Sequence, residues 1–305
     1  MFEKRALAFF YCVSPVHMGA GQAIGVVDNP IQRERHTNHP VFAGSGIKGA
    51  LRDEFERWHS DLVERLFGPK VNAADHAGCV AFSDASVVLF PVRSLKEAFV
   101  YATCPTALAR LKRMAELAGV STNWQVPEKG PDDDSCFTTG NTKLCVNASG
   151  RGEAIILEAY QFHVYSSQKE NTKTIAQWLA KQLPQGSLDY FKDKIASDLV
   201  ILSDTRFSYF VENATIVEPH VRIDDDSGTA DDGGLFYTEN VPPEALFAGT
   251  VLFSKERRKK GDTNGSMGAA EVAKTIQEAL NGKLVQLGGD ATTGRGLVIL
   301  SLQLS

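Results

Sequence analysis

The spacing of apolar positions changes several times along the chain, and each change marks an element. Leu7 to Val13 is an unbroken apolar and aromatic run, which predicts a buried strand. Ile47, Leu51, Phe55, Trp58, Leu62 and Leu66 then recur at steps of four or three, which predicts an amphipathic helix over 46–66, stopped by Gly68-Pro69. Val80 to Phe90 predicts a second strand. Leu108, Leu111, Ala115 and Ala118 share one face of a helix over 105–118, ended by Gly119. Residues 121–152, rich in Asp, Thr, Gly and Asn, read as an irregular insertion. Ala154 to Val164 returns to strand, 172–183 and 187–198 to helix, and Phe207 to Val211 to a short strand. Segment 215–240 sets β-rich flanks around the tip Asp224-Asp225-Asp226-Ser227-Gly228, a hairpin or long-loop pattern. Thr250 to Ser254 is a strand, Ser266 caps a helix running to about Leu280, and Leu297 to Leu302 closes the chain as a strand.

The two ends of the chain therefore each supply strand, helix and strand. That order matches the βαββαβ unit of an α+β, ferredoxin-like fold. The expectation is one elaborated domain over 1–305, with a core from about 1–100 and 245–305 and large insertions over about 105–240. A chain of 305 residues is long enough to bury such a core.

Composition narrows the class only slightly. Hydrophobic content of 43% and charged content of 23% exclude global disorder. No apolar run approaches the ~20 residues of a membrane span. The opening MFEKRALAFFYCV lacks a signal-peptide cleavage pattern, so the expectation is a cytoplasmic protein with no membrane partner. The five cysteines, at 12, 79, 104, 136 and 145, form no CxxC pair and read as unpaired thiols. A zinc site from Cys136, Cys145 and His163 is the alternative. The net charge of −5 argues against a nucleic-acid partner, but the charge is segregated. Acid lies in short runs such as Asp132-Asp133-Asp134, whereas base gathers at Arg33/Arg35 and at Lys48/Arg52. Screening over a Debye length of ~8 Å hides distant charge, so a local basic track can hold phosphate. The basic run 255–260 reads as a solvated loop.

Candidate chemistry concentrates between Gly19 and Arg52, where a dense polar cluster around Asp28 is followed by Gly44-Ser45-Gly46 and a helix carrying Lys48 and Arg52. Glycine lets the chain approach a phosphate backbone, helix N–H groups face the anion, and Lys or Arg completes the charge. The run Gly44 to Gly49 formally matches G-x-G-x-x-G, but His39-Pro40-Val41-Phe42-Ala43 before it is too short and proline-marked for the strand a dinucleotide fold needs. A second loop holds Gly288, Gly289, Thr292, Gly294, Arg295 and Gly296 immediately before the last strand. Asp28 is the best candidate for base or metal ligand, and His17 for a proton donor or acceptor. The plain alternatives are a turn at Asp28-Asn29-Pro30 and a strand-capping role for His17.

The segments GVVDNPIQRERHTNHPVFAGSGIKGALR, DDGGLFYTENVPP and LGGDATTGRGLV together resemble the RAMP-superfamily backbone subunits of type III-B CRISPR effector complexes, over residues from about 5 to 302. The resemblance implies a ferredoxin-like core with insertions and a thumb hairpin, for which 215–235 is the candidate segment. It implies several copies stacked along a CRISPR guide RNA, within a complex of other subunits. It implies a metal-dependent endoribonuclease, using Mg²⁺ or Mn²⁺, that cuts paired target RNA at regular intervals. The family's catalytic aspartate matches Asp28, which would also be the metal ligand; its histidine matches His17, and a tyrosine and glutamate match Tyr237 and Glu239. Its guide-binding lysine matches Lys48, beside Gly44, Ser45 and Arg52, although Gly46 stands where a serine is usual. The rival reading is a purely structural RNA-binding filament subunit, which would not need Asp28.

Overall fold

The structure is a computed structural model, and it describes residues 2–21, 25–71, 76–148, 152–257 and 265–304. Six elements make its framework. They are strand β1 (Lys4–Cys12), helix α1 (Gly44–Trp58), strand β2 (Ala85–Arg93), strand β3 (Leu246–Phe253), helix α2 (Ala269–Leu280) and strand β4 (Leu297–Leu304). Their order across the sheet is β4-β1-β3-β2, and every neighbouring pair is antiparallel. The fold is thus mixed α+β on a large, mostly antiparallel sheet.

Alternation along β1 explains how both faces of the sheet are covered. Ala6, Ala8, Phe10 and Cys12 pack with Ile47, Leu51 and Phe55 of α1 and Val272, Ile276 and Leu280 of α2. Leu7, Phe9 and Tyr11 point the other way, against Leu108 and Leu111 of helix Pro105–Ala118 and Ile175 and Leu179 of helix Lys169–Gln182. A strand buried on both faces reads as the continuous apolar run seen in the sequence.

The segment between β2 and β3 extends the same sheet. Strand Phe99–Thr103 continues from β2, followed in order by Leu199–Ile201, Ser135–Thr138, Tyr160–Tyr165, Gly152–Leu157 and Val146–Ala148. Strands Ile216–Ile223 and Ala230–Asn240 form a separate two-stranded hairpin.

Several expected elements differ in detail. Phe207 to Val211 lies in a helix, Asp204–Asn213, not a strand. Ser203 caps it by accepting from the Arg206 N–H, and Phe207, Phe210 and Val211 bury one helical face. The expected helix over 46–66 breaks at Trp58, which is 72% exposed, and resumes as Val63–Phe67. The expected strand Ala154–Val164 is two strands, Gly152–Leu157 and Tyr160–Tyr165, joined at Glu158, whose φ is 51°. Ser266 does not cap α2, which starts at Ala269 after Gly268. The stretch expected to be irregular contributes two sheet strands, Ser135–Thr138 and Val146–Ala148.

Candidate active site and nucleic-acid interface

The outer edge of hairpin strand Ala230–Asn240 gathers the chemistry. Asp28 Oδ2 accepts from the Tyr237 N–H at 2.8 Å. Asn29 donates to the Tyr237 carbonyl at 3.0 Å, and the Glu239 N–H donates to the Asn29 carbonyl at 2.9 Å. One step further along, His17 Nδ1 lies 2.7 Å from the Glu239 carbonyl, and Val16 and Val241 exchange a backbone pair at 3.0 and 2.9 Å. A loop near residue 28 and a segment near residue 17 are therefore docked side by side on one strand edge.

The chemistry of the partner fixes the tautomer of His17. A carbonyl only accepts, so Nδ1 of His17 carries the hydrogen and donates it. In the neutral ring Nε2 is then left with a lone pair, able to take or return a proton. Asp28 is exposed, with its second oxygen free of any hydrogen bond among the described residues.

Glu239 plays a different part. Its side chain is buried, with Oε1 accepting from Arg33 at 2.5 Å and from Thr215 at 2.8 Å, and Oε2 accepting from the Ile31 N–H at 3.1 Å. Arg33 also donates to the Asn38 and Val211 carbonyls at 2.8 and 3.1 Å. This buried pair ties the Asp28 loop to the hairpin root; Arg33, expected to face phosphate, points inward. The Tyr237 side chain is 37% exposed on the hairpin.

The second glycine loop completes the arrangement. The Gly289 N–H donates to the His17 carbonyl at 2.9 Å and the Gly296 N–H to the Pro15 carbonyl at 2.7 Å. Gly288 and Gly296 adopt φ of 81° and 78°, conformations that glycine alone takes at no cost. Arg295 pairs with Glu218 of the hairpin, and Thr292 is exposed in the 3₁₀ turn Ala291–Thr293.

The first glycine turn divides by residue. The Gly44 N–H is taken by Asp84 Oδ1 at 2.7 Å, and a Cβ there would fall 2.4 Å from the Phe82 carbonyl, so Gly44 serves packing. Ser45 and Gly46 are exposed at the start of α1, which has no side-chain cap and no acid in its first turn. Lys48 has no hydrogen bond or ion pair among the described residues; burial, then the charge of Arg52, lowers its pKa. Arg52 turns inward, donating to the Gly68 carbonyl at 2.5 Å, with Nε and Nη2 buried and unpartnered. An open groove of about 480 Å³, lined by Met18, Gly19, Gln32, Gly46, Asp53 and Gly288 among others, lies between the start of α1, the loop holding Gln32 and the second glycine loop. The two-residue strand Val41–Phe42 ahead of α1 is antiparallel to β2, which removes the strand a dinucleotide fold requires.

Among the described residues no group of three or more His, Cys, Asp or Glu side chains could hold a metal ion. Cys136, Cys145 and His163 thus form no zinc site, and burial raises both thiol pKa values. Asp28 offers one carboxylate. That suits Mg²⁺, which is commonly held by one or two carboxylates together with substrate phosphate oxygens and water.

Comparison with known proteins agrees along the whole length. The RAMP superfamily pattern matches residues 9–299. The chain is 34% identical over 306 residues to the CRISPR system Cmr endoribonuclease Cmr4 of Pyrococcus furiosus, covering 98% of this chain and 96% of that protein. It is 24% identical to the CRISPR system CMR subunit Cmr4 of Saccharolobus solfataricus, covering 96% and 94%. Oligomeric Cmr4 from Pyrococcus furiosus superposes with a TM-score of 0.73 at 27% identity, covering 98% of each chain. A chain of the type III-B Cmr-beta complex bound to cognate target RNA superposes at 0.71 with 18% identity, a likeness of fold alone.

Proposed function

The chain belongs to the RAMP superfamily, and to the Cmr4 family within it, and on that premise we propose that it is a guide-RNA-binding backbone subunit of a type III-B CRISPR complex that cleaves paired target RNA. Its partners are then guide RNA, target RNA, further copies of itself and the other subunits of the complex. The observation that carries this reading is the exposed Asp28 carboxylate, held by the Tyr237 N–H two residues along the strand from the Glu239 carbonyl that holds His17 Nδ1, with Nε2 free of any hydrogen bond among the described residues. A purely structural subunit has no use for that pairing.

The chemistry proposed is in-line attack by the ribose 2′-OH on the adjacent phosphorus. Asp28 receives the 2′-OH proton, the bond to the 5′-oxygen breaks, and His17 Nε2, once protonated, returns a proton to the leaving oxygen. The products are a 2′,3′-cyclic phosphate and a 5′-hydroxyl. A bound Mg²⁺ or Mn²⁺ at Asp28 would supply positive charge to the phosphate oxygens. The 2′-OH requirement makes the site selective for RNA over DNA. Lys48 and the uncapped start of α1 hold the guide backbone, and the groove along Gly46 and Gly288 carries it past the site. The β4-β1-β3-β2 order, with α1 and α2 packed on one face, supports reading the framework as a ferredoxin-like core, and the hairpin as its thumb.

The test is cleavage of a paired target by the assembled complex carrying Asp28→Ala. Assembly and target binding should persist while every cut slows by ~10²-fold or more. A target with a single 2′-deoxy residue at the cut should be equally inert with the unmutated complex. Normal cutting by Asp28→Ala would hand the function to the structural reading.

A further inference from the structure

At the root of the hairpin lies a second pocket, of about 490 Å³, lined by Tyr160, Tyr209, Phe210, Asn213 and Thr215 among others. Its size falls in the range that buries a small ligand. Phe210 is buried and belongs to the core, whereas Tyr209, its neighbour on helix Asp204–Asn213, turns outward at 39% exposure. The Tyr160 and Tyr209 rings meet edge to face at 5.3 Å between centroids, and their hydroxyls share a hydrogen bond of 3.0 Å. The Arg206 guanidinium lies 5.3 Å over the Tyr160 ring. Arg93 stands at the rim, paired with Glu158 at 3.1 Å.

Hydrogen bonds hold several of the segments that line this pocket. The Glu158 N–H donates to the Arg93 carbonyl at 2.9 Å, which pins the turn that presents Tyr160. Asn213 Nδ2 donates to the Tyr209 carbonyl at 2.8 Å. Thr215 donates to Glu239 Oε1, and Arg33 donates to the Val211 carbonyl, so the pocket rests on the same buried pair that holds the Asp28 loop. Tyr160 packs against the core, whereas the Tyr209 ring faces solvent. What the pair offers is a rigid aromatic surface with polar edges and a neighbouring cation, the composition on which unpaired nucleic-acid bases stack.

We propose that the Tyr160–Tyr209 pocket is a stacking subsite for one unpaired RNA base, a site separate from the groove along α1. The inference rests on the reading of the chain as an RNA-binding subunit. The base stacks on the outward ring of Tyr209, Asn213 and Thr215 face its polar edge, and Arg206 lies toward the ribose-phosphate. Stacking is tolerant of sequence because every base has a π-face.

The experiment is fluorescence-anisotropy titration of the full chain with a 20-nucleotide single-stranded poly(U) probe and a poly(A) probe, at several salt concentrations. Tyr209→Leu should weaken binding roughly 5- to 150-fold, more for the better-stacking poly(A), with the salt slope unchanged, because stacking releases no counterions. Tyr209→Phe should bind like the parent, since it keeps the ring and loses only the hydroxyl pairing. Lys48→Ala, away from this pocket, serves as the reference and should lower the slope. If Tyr209→Leu binds as the parent while Lys48→Ala weakens, the subsite is overturned and the RNA-binding reading survives; the pocket is then a surface for protein contact. Equal losses in Tyr209→Leu and Tyr209→Phe would show that the hydroxyl latch matters and stacking does not. A parent chain that binds neither probe overturns both readings.

Discussion

Gly288 lies so close to His17 that a Cβ built on it would fall 2.2 Å from the His17 carbonyl oxygen. No side chain fits there, and φ of 81° adds its own penalty for any residue but glycine. The glycine loop therefore acts on the histidine through the backbone, 271 positions away in sequence (288 − 17). Gly288→Ala should displace the Pro15–His17 segment, cost about 1–3 kcal/mol in stability, and slow target cutting. Chemical denaturation and cleavage kinetics on the same preparation check both. Gly294→Ala has open space around its Cβ and shares the positive φ, so it should lose some stability while leaving His17 in place.

The buried pair Arg33–Glu239 should behave as a positioning device. Removing one partner strands the other charge away from water, which costs about 3–5 kcal/mol. Arg33→Met and Glu239→Gln should each lower the urea midpoint clearly. The double variant should recover part of that loss, since neither charge is then left alone. Cutting should fall in the single variants through displacement of the Asp28 loop.

Lys48 should report on phosphate binding. Its ammonium is half-buried and has no partner among the described residues, and burial lowers its pKa. Lys48→Ala should reduce the slope of log affinity against log salt by about one unit for guide RNA, uniformly across sequences. Arg52→Ala, by contrast, should act mainly on stability, because its guanidinium faces the Gly68 carbonyl and not solvent. An unchanged slope in Lys48→Ala would remove Lys48 from the interface.

Acid stability should depend on Glu34. Burial alone would raise its pKa, but hydrogen bonds from Thr37, Arg110 and Ser86, with the charge of Arg110, outweigh burial and leave it below 4.5. A carboxyl whose pKa is depressed by folding contributes stability that is complete above the unfolded value and is lost as pH falls through the folded value. Stability should therefore decline as pH drops below about 4.5. Glu34→Gln should be less stable at neutral pH and show a shallower acid limb in a series of denaturation curves. Asp204, also depressed, should leave a residual slope.

Much of the framework was legible in the sequence. The continuous apolar run of β1 announces a strand covered on both faces, and the Pro105–Ala118 helix matches its expected bounds, with Gly119 in the left-handed conformation at its end. Phe207 to Val211 departs from the expected strand because so short a segment, apolar at all but Ser208, fits a strand or one helical face equally well, and Ser203 as a cap decides it. The motifs around Asp28, Lys48 and Gly288 stood out because glycine and charge cluster there beyond what loops need. Their division of labour did not. Arg33, Arg52 and Arg295 look alike in the sequence as phosphate contacts, yet the structure commits Arg33 to Glu239, Arg52 to Gly68 and Arg295 to Glu218, and gives Lys48 no partner among the described residues. Local sequence determines which groups exist and which elements form, because propensity and hydrophobic period act over a few residues. Which charge is buried and which faces a ligand depends on the group that folding brings beside it, 206 positions away for Arg33 and 77 for Arg295, and only the tertiary structure decides that.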